Sequence, residues 1–128
     1  MTEDEIEGTL AFLTMAERLK DTLRTGHTTA GRRESTAEHS WRLCLMALVL
    51  GEPLGVDIGR LLGICLVHDL AEALTGDIPA PMAMPGDSKS AAERAALATL
   101  AAPLPAATRA AILALWEEYE TGATREGR

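Results

Sequence analysis

His68, Asp69 and Glu72 sit close together in LLGICLVHDLAEALTGDIP, residues 61–79, an apolar run that reads as a helix, and Asp77 stands just beyond them. Burying three ionisable groups among leucines is costly unless something binds them. On a helix turning about 100° per residue, Glu72 lies about 40° from His68 and Asp69 about 100°, so the three share one face within a turn. A metal ion with a carboxylate beside it is the simplest reason for such a face.

Each residue also has a plainer reading. A helical His is often a satisfied core residue with an adjacent Asp as its partner. A helical Glu is usually solvated, and Asp77 after Gly76 can merely shape a turn. The cluster gains weight from Leu62, Ile64, Leu66, Val67 and Leu70, which make this a core-facing helix with little solvated surface.

The rest of the chain has to position that face. At 128 residues it is long enough for one domain with a modest core. Alanine and leucine dominate, aromatic residues make up 3% and β-branched runs are missing, a balance that predicts an all-α bundle, which the segments and the resemblance given below divide into about five to six helices. A net charge of −7 speaks against a nucleic-acid polymer or an anionic membrane as partner. The acidic start MTEDEIEG resembles no signal peptide, and no apolar run reaches spanning length. Cys44 and Cys65 lie in apolar helical runs as reduced thiols, and a cytoplasmic home follows.

Ile6, Leu10, Leu13, Leu19 and Leu23, with Met15 and Ala16 close to the same stripe, predict a first amphipathic helix over about 3–24 packed on the remainder. Residues 24–35, RTGHTTAGRRES, form the most basic loop, with Gly26 and Gly31 as breakers. Ser35 and Glu38 fit a capping box, so a second helix starts there and runs to about Gly51, with His39 near its mouth. His39 alone is an ordinary first-turn histidine, and Trp41 is core or interface. Asp57 caps a third helix that carries the opening stretch and ends at Gly76. Three prolines between Asp77 and Asp87 predict a semi-rigid loop over the end of that helix, either a lid or a plain connector. A fourth helix follows with Ser88 or Ser90 as cap, and a fifth runs through ATRAAILALWEEYE to Gly122. The polar end TGATREGR is predicted to fray.

With His39 and the His68-Asp69 pair placed, the chain resembles the HD-domain metal-dependent phosphohydrolases, and within them the 5′-deoxynucleotidase group. The matching stretches are LKDTLRTGH, ESTAEHSWRLCLMAL, LVHDLAEALTGDIP, the spaced Lys89 and Glu93, and LWEEYETG. That resemblance implies an all-helical fold over residues 1–128 in which His39, His68 and Asp69 coordinate one divalent metal. Manganese, cobalt, zinc and iron all suit such a donor set. It further implies that Glu72 and Asp77 position or deprotonate the attacking water, or contact the sugar, and that Arg24 contacts phosphate or substrate. Arg32 or Arg33 is a weaker candidate for the same phosphate contact, with solubility as the plainer and preferred reading of both.

The chain departs from the family at two places. His27 stands where these proteins often show Trp. The family's fourth ligand is an Asp on a helix after the LWEEYE segment, whereas this sequence has no Asp after Asp87. The domain is therefore expected to lack the family's C-terminal helix, leaving three options: a shortened chain, a site completed by water or another subunit, or lost activity. With only three histidines, a single metal is expected rather than a dinuclear site. The implied reaction is hydrolysis of a deoxyribonucleoside 5′-monophosphate by a metal-activated water, with a homodimer as the expected assembly. The competing reading is a non-catalytic HD-like module that binds a nucleotide or metal, or only dimerises.

Overall fold

The first helix, α1 (Glu3–Ala16), is opened by a reciprocal cap. The Glu5 N–H donates to Thr2 Oγ1 at 3.1 Å and the Thr2 N–H to the Glu5 carboxylate at 3.0 Å. The computed structural model describes residues 1–76, 86–122 and 126–127, with side chains from residue 89 in the second stretch. α1 does not run to Arg24. It tightens into a 3₁₀ turn at Glu17–Lys20, and only the later part of the expected stripe, Met15, Ala16 and Leu19, packs. Ile6, Leu10 and Leu13 are exposed, while Phe12 and Leu19 are buried and Met15 packs against the core. Gly8 explains the shift, because a Cβ there would stand 2.0 Å from the Pro103 carbonyl oxygen. The face of closest approach is therefore Gly8, Phe12 and Met15, one row round from the leucines.

Residues 24–35 are not a loop. They hold most of an antiparallel hairpin of β1 (Leu23–His27) and β2 (Arg33–Ser35), paired Leu23 with Ser35 and His27 with Arg33. The unequal spans force an irregularity into β1, a device that re-aims side chains. The Thr28 N–H donates to the Arg32 carbonyl at 2.7 Å, and Gly31 turns the chain at φ +94°. Arg33 Nε donates to the Arg24 carbonyl at 2.9 Å, so one of the two neighbouring arginines staples the hairpin.

Ser35 caps α2 (Thr36–Leu54), its Oγ accepting the Glu38 N–H at 3.2 Å. Glu38 does not complete the expected box. Its carboxylate takes a two-pronged bond from Arg32 at 2.9 and 2.8 Å and a third from the Ser35 hydroxyl. α2 passes Gly51 and carries Pro53 in its last turn. Asp57 Oδ1 accepts the Arg60 N–H at 3.1 Å and opens α3 (Ile58–Val67).

The helix expected to reach Gly76 breaks at His68. Between Val67 and Leu74 the backbone bonds run from Leu70 to Val67, Glu72 to Asp69, Ala73 to Leu70 and Leu74 to Ala71, all three residues back, before α4 (Glu72–Thr75) ends the segment. Such winding turns about 120° per residue and eclipses positions three apart. Glu72 therefore stacks over Asp69 rather than over His68.

The chain resumes with α5 (Gly86–Ala101) and α6 (Ala106–Thr121). α5 begins before either serine proposed as its cap, and the Ser90 hydroxyl donates instead to the Glu120 carboxylate. The end of the chain does not fray as expected at Glu126, whose carboxylate accepts the Asp57 N–H at 2.9 Å. The core gathers Phe12, Leu70, Leu97, Leu100, Leu104 and Trp116, drawn from α1, α5, α6, the α5–α6 connection and the turn before α4. Leu66, expected inside, is 62% exposed. Among the described residues no helix is long and apolar enough to cross a membrane. Cys44 and Cys65 are free thiols, their pKa values raised by burial.

Candidate metal centre

His68 closes α3 with its ring almost fully buried. Its Nδ1 donates to the Cys65 carbonyl at 2.7 Å, a partner that can only accept and so fixes a proton on that nitrogen. Its Nε2 faces Asp69 Oδ2 at 2.9 Å. Burial works against a charged ring, but the Asp69 carboxylate outweighs it and raises the His68 pKa. Burial likewise opposes ionisation of Asp69, and the His68 ring, then Arg24, reverse this to hold its carboxyl below the usual range.

His39 comes from the first turns of α2, and its ring centroid lies 6.2 Å from that of His68 with the planes 55° apart. One ligand atom from each of His39, His68 and Asp69 falls within 4.8 Å of the others. His39 Nδ1 lies 3.2 Å from Glu34 Oε1 on β2. Two imidazoles from separate helices and a carboxylate thus converge on one point.

Arg24 reaches the edge of this cluster from β1, 3.6 Å from Asp69 Oδ2, and both side chains are mostly buried. Glu72, three residues after Asp69, is buried. Asp77 and the expected 77–87 loop, lid or connector, lie outside the described residues except at Gly86 and Asp87, which already belong to α5. Glu126 stands at the opposite end of α3, held on the Asp57 backbone.

Three neighbours were given no part at the metal cluster by the sequence reading, which placed Glu93 only in a possible cap with Ser90 and among the family-matching positions. Glu34 was hidden because its contact with His39 depends on the hairpin. Tyr119 packs edge-on against His68 with ring centroids 5.2 Å apart, and its only sequence signal was its place in LWEEYE. Its phenol is pushed up by burial and then by the charges of Asp69, Glu120, Glu93 and Glu72. Glu93 pairs loosely with Lys89 at 3.9 Å. Its carboxyl is raised chiefly by burial, with the Asp69 and Glu120 charges adding to this against Lys89 and His68. These carboxylates concentrate negative charge around two imidazoles. Borderline nitrogen and hard oxygen donors within a few ångströms fit a divalent first-row cation, so the residues present suit the implied metal.

The description "HD domain" matches residues 16–128. The chain belongs to the HD domain family. This HD domain is 33% identical over 123 residues to a 5′-deoxynucleotidase of Mus musculus, covering 94% of the chain and 61% of the relative. The 5′-deoxynucleotidase of Homo sapiens is 34% identical over 121 residues, covering 93% and 59%. The chain thus spans about three-fifths of the length of the curated relatives it matches. Among solved structures it is similar to a protein of Magnetospirillum magnetotacticum MS-1 described as a predicted metal-dependent phosphohydrolase. That likeness has a TM-score of 0.85 at 36% identity and covers 98% of this chain and 65% of the other. A conserved hypothetical protein of Pyrococcus furiosus superposes with a TM-score of 0.71 at 29% identity, covering 92% and 70%.

Proposed function

We propose that this HD domain hydrolyses deoxyribonucleoside 5′-monophosphates to nucleoside and phosphate, with His39, His68 and Asp69 holding one divalent ion. The convergence of those three donors within 4.8 Å, beside a mostly buried arginine, carries the reading. Phosphate monoesters resist uncatalysed hydrolysis strongly, and a divalent cation, when bound, supplies a water of lowered pKa and polarises a phosphoryl oxygen. Manganese, cobalt, zinc and iron all suit the donors.

The chain's own residues divide the remaining work. Arg24 presents a planar fork of donors to phosphate oxygens at the edge of the cluster. Glu72, stacked over Asp69 and buried, accepts or returns the water proton, and Asp77 shares that work or meets the sugar. Tyr119 packs edge-on against the His68 ring and helps hold its orientation. The reading takes residues 1–128 as one HD-type helical domain acting on a small nucleotide, with no nucleic-acid polymer or membrane as partner. Reduced thiols suit a cytoplasmic setting.

The assembly in this reading is a homodimer. Trp41, Leu45 and Leu48 form an exposed α2 stripe beside a cavity of about 790 Å³ between α1, α2, α3 and α6. Apolar patches of that kind are rare on monomers, and a second copy presenting the same stripe would cover it. Sedimentation of wild type against Trp41→Glu checks this, a single monomeric species for both counting against it.

To test the reaction, the metal-stripped protein is loaded with each ion in turn and given a panel of ribo- and deoxyribonucleotides. Phosphate release from deoxyribonucleoside 5′-monophosphates with at least one ion is the expected result. Bound metal with no release from any nucleotide leaves the non-catalytic module standing and overturns the proposal.

A further inference from the structure

The two imidazoles of the cluster are oriented by different means. His68 Nδ1 is fixed by a main-chain carbonyl at 2.7 Å and needs no other residue's side chain. His39 Nδ1 faces a side chain, Glu34 Oε1, at 3.2 Å. That oxygen is shut off from solvent and receives no aligned hydrogen bond among the described residues. A buried carboxylate oxygen in that condition needs a donor, and the ring nitrogen of His39 stands at the right distance to be one.

We propose that Glu34 is a positioning residue for His39, holding the ring as the Nδ1–H tautomer so that its Nε2 is the nitrogen offered to the cation. The inference rests on the metal-binding reading above. A carboxylate behind a ligating imidazole fixes the tautomer, limits rotation of the ring and makes the free nitrogen a better donor. Glu34 can do this because it is not committed elsewhere as its neighbours are. Glu38 takes both prongs of Arg32, while Arg33 is spent on the Arg24 carbonyl. The placement is also non-local. Glu34 sits on β2, where pairing with β1 sets the strand that carries it towards the mouth of α2.

The experiment compares wild type with Glu34→Gln and Glu34→Ala in three measurements. Nitrogen-15 correlation spectra of the metal-free proteins report the His39 tautomer. Cobalt titration followed by its visible absorption reports affinity and geometry, and thermal melting of the metal-free proteins reports the fold. The expected wild type shows the Nδ1–H tautomer, which both variants lose or mix. Cobalt affinity falls about 10- to 100-fold in Glu34→Ala, with a smaller loss in Glu34→Gln because the amide oxygen can still accept. Melting points should stay near wild type, and if the alanine variant does not fold, Glu34→Gln carries the test. Wild-type tautomer and cobalt affinity in the variants overturn the role of Glu34 while leaving the metal reading intact. Failure of the wild type itself to bind cobalt or any of the other ions would instead remove the metal reading, with the His39 tautomer still deciding whether Glu34 orients the ring.

Discussion

His68 and His39 are the same side chain in the same cluster, yet one belongs to the core and the other to the surface. His68 sits on a tightened turn between α3 and α4 whose flanking residues, Val67, Leu70 and Ala71, are all buried, and its proton goes to the backbone of its own helix. His39 is held at the open end of α2, about a quarter exposed, against a strand of a two-stranded hairpin. Small hairpins are weakly stable by themselves, so that half of the site depends on neighbouring contacts while the other half is built into the fold. The rigid half supplies two donors in succession, and the adjustable half supplies one donor together with Arg24.

The sharpest way to break this contrast is to damage each support and follow the fold. Leu70→Ala empties a buried position behind the His68 turn and should cost about 2–5 kcal/mol in urea unfolding. Gly31→Ala strains the hairpin turn at φ +94° and should cost only about 1–2 kcal/mol, while weakening metal and nucleotide binding through Glu34 and Arg24. Equal global losses from the two would show that the hairpin is as much a part of the core as the turn.

The histidines themselves give the next effect. Either His68→Ala or His39→Ala should bring bound metal to background by elemental analysis. Only the first should destabilise the metal-free protein appreciably, by about 1–3 kcal/mol, because the buried Cys65 carbonyl and Asp69 lose a partner. His39→Ala also takes the donor facing Glu34 Oε1, but it opens the more exposed end of the site to water, so its cost should be smaller, at most about 1 kcal/mol. A large loss for His39→Ala would erase the distinction.

A smaller effect comes from two glutamates with opposite shifts. Glu93, on the buried side, has a raised carboxyl pKa, chiefly from burial, so its charge opposes folding at neutral pH. Glu93→Gln should therefore melt higher than wild type above that raised pKa in chelator-treated samples. The gain should vanish once the pH falls below the ordinary glutamate value and both forms are neutral. Glu38, on the hairpin side, is held low by the Arg32 bonds, so its contribution is present above the ordinary glutamate value and fades as the pH falls through the lowered one. Glu38→Gln should melt slightly lower at neutral pH and match wild type in acid. Because that pair lies at the surface, it should be the smallest of these effects and shrink with salt.

Sequence pattern alone carried the helical class, the caps at Ser35 and Asp57 and the Gly122 stop, and it singled out His68 and Asp69, while only the family resemblance added His39, whose ring does come within reach of that pair. Those are local features, or residue types whose burial among leucines demands an explanation. The early part of the stripe on α1 was misjudged because periodicity names an apolar face without saying which neighbour approaches. Here the Pro103 carbonyl at Gly8 turned the helix by one row.

What the residue order determined by itself was the chemistry available: imidazole and carboxylate on apolar elements, with an arginine ahead of them. Only the folded chain decided which of these groups meet. The three-residue winding after Val67 stacks Glu72 on Asp69, the paired strands bring Glu34 to His39 and Arg24 to Asp69, and α6 lays Tyr119 against His68. Each of these outcomes depends on helix winding or long-range pairing, which compete over fractions of an ångström and leave no period in the letters.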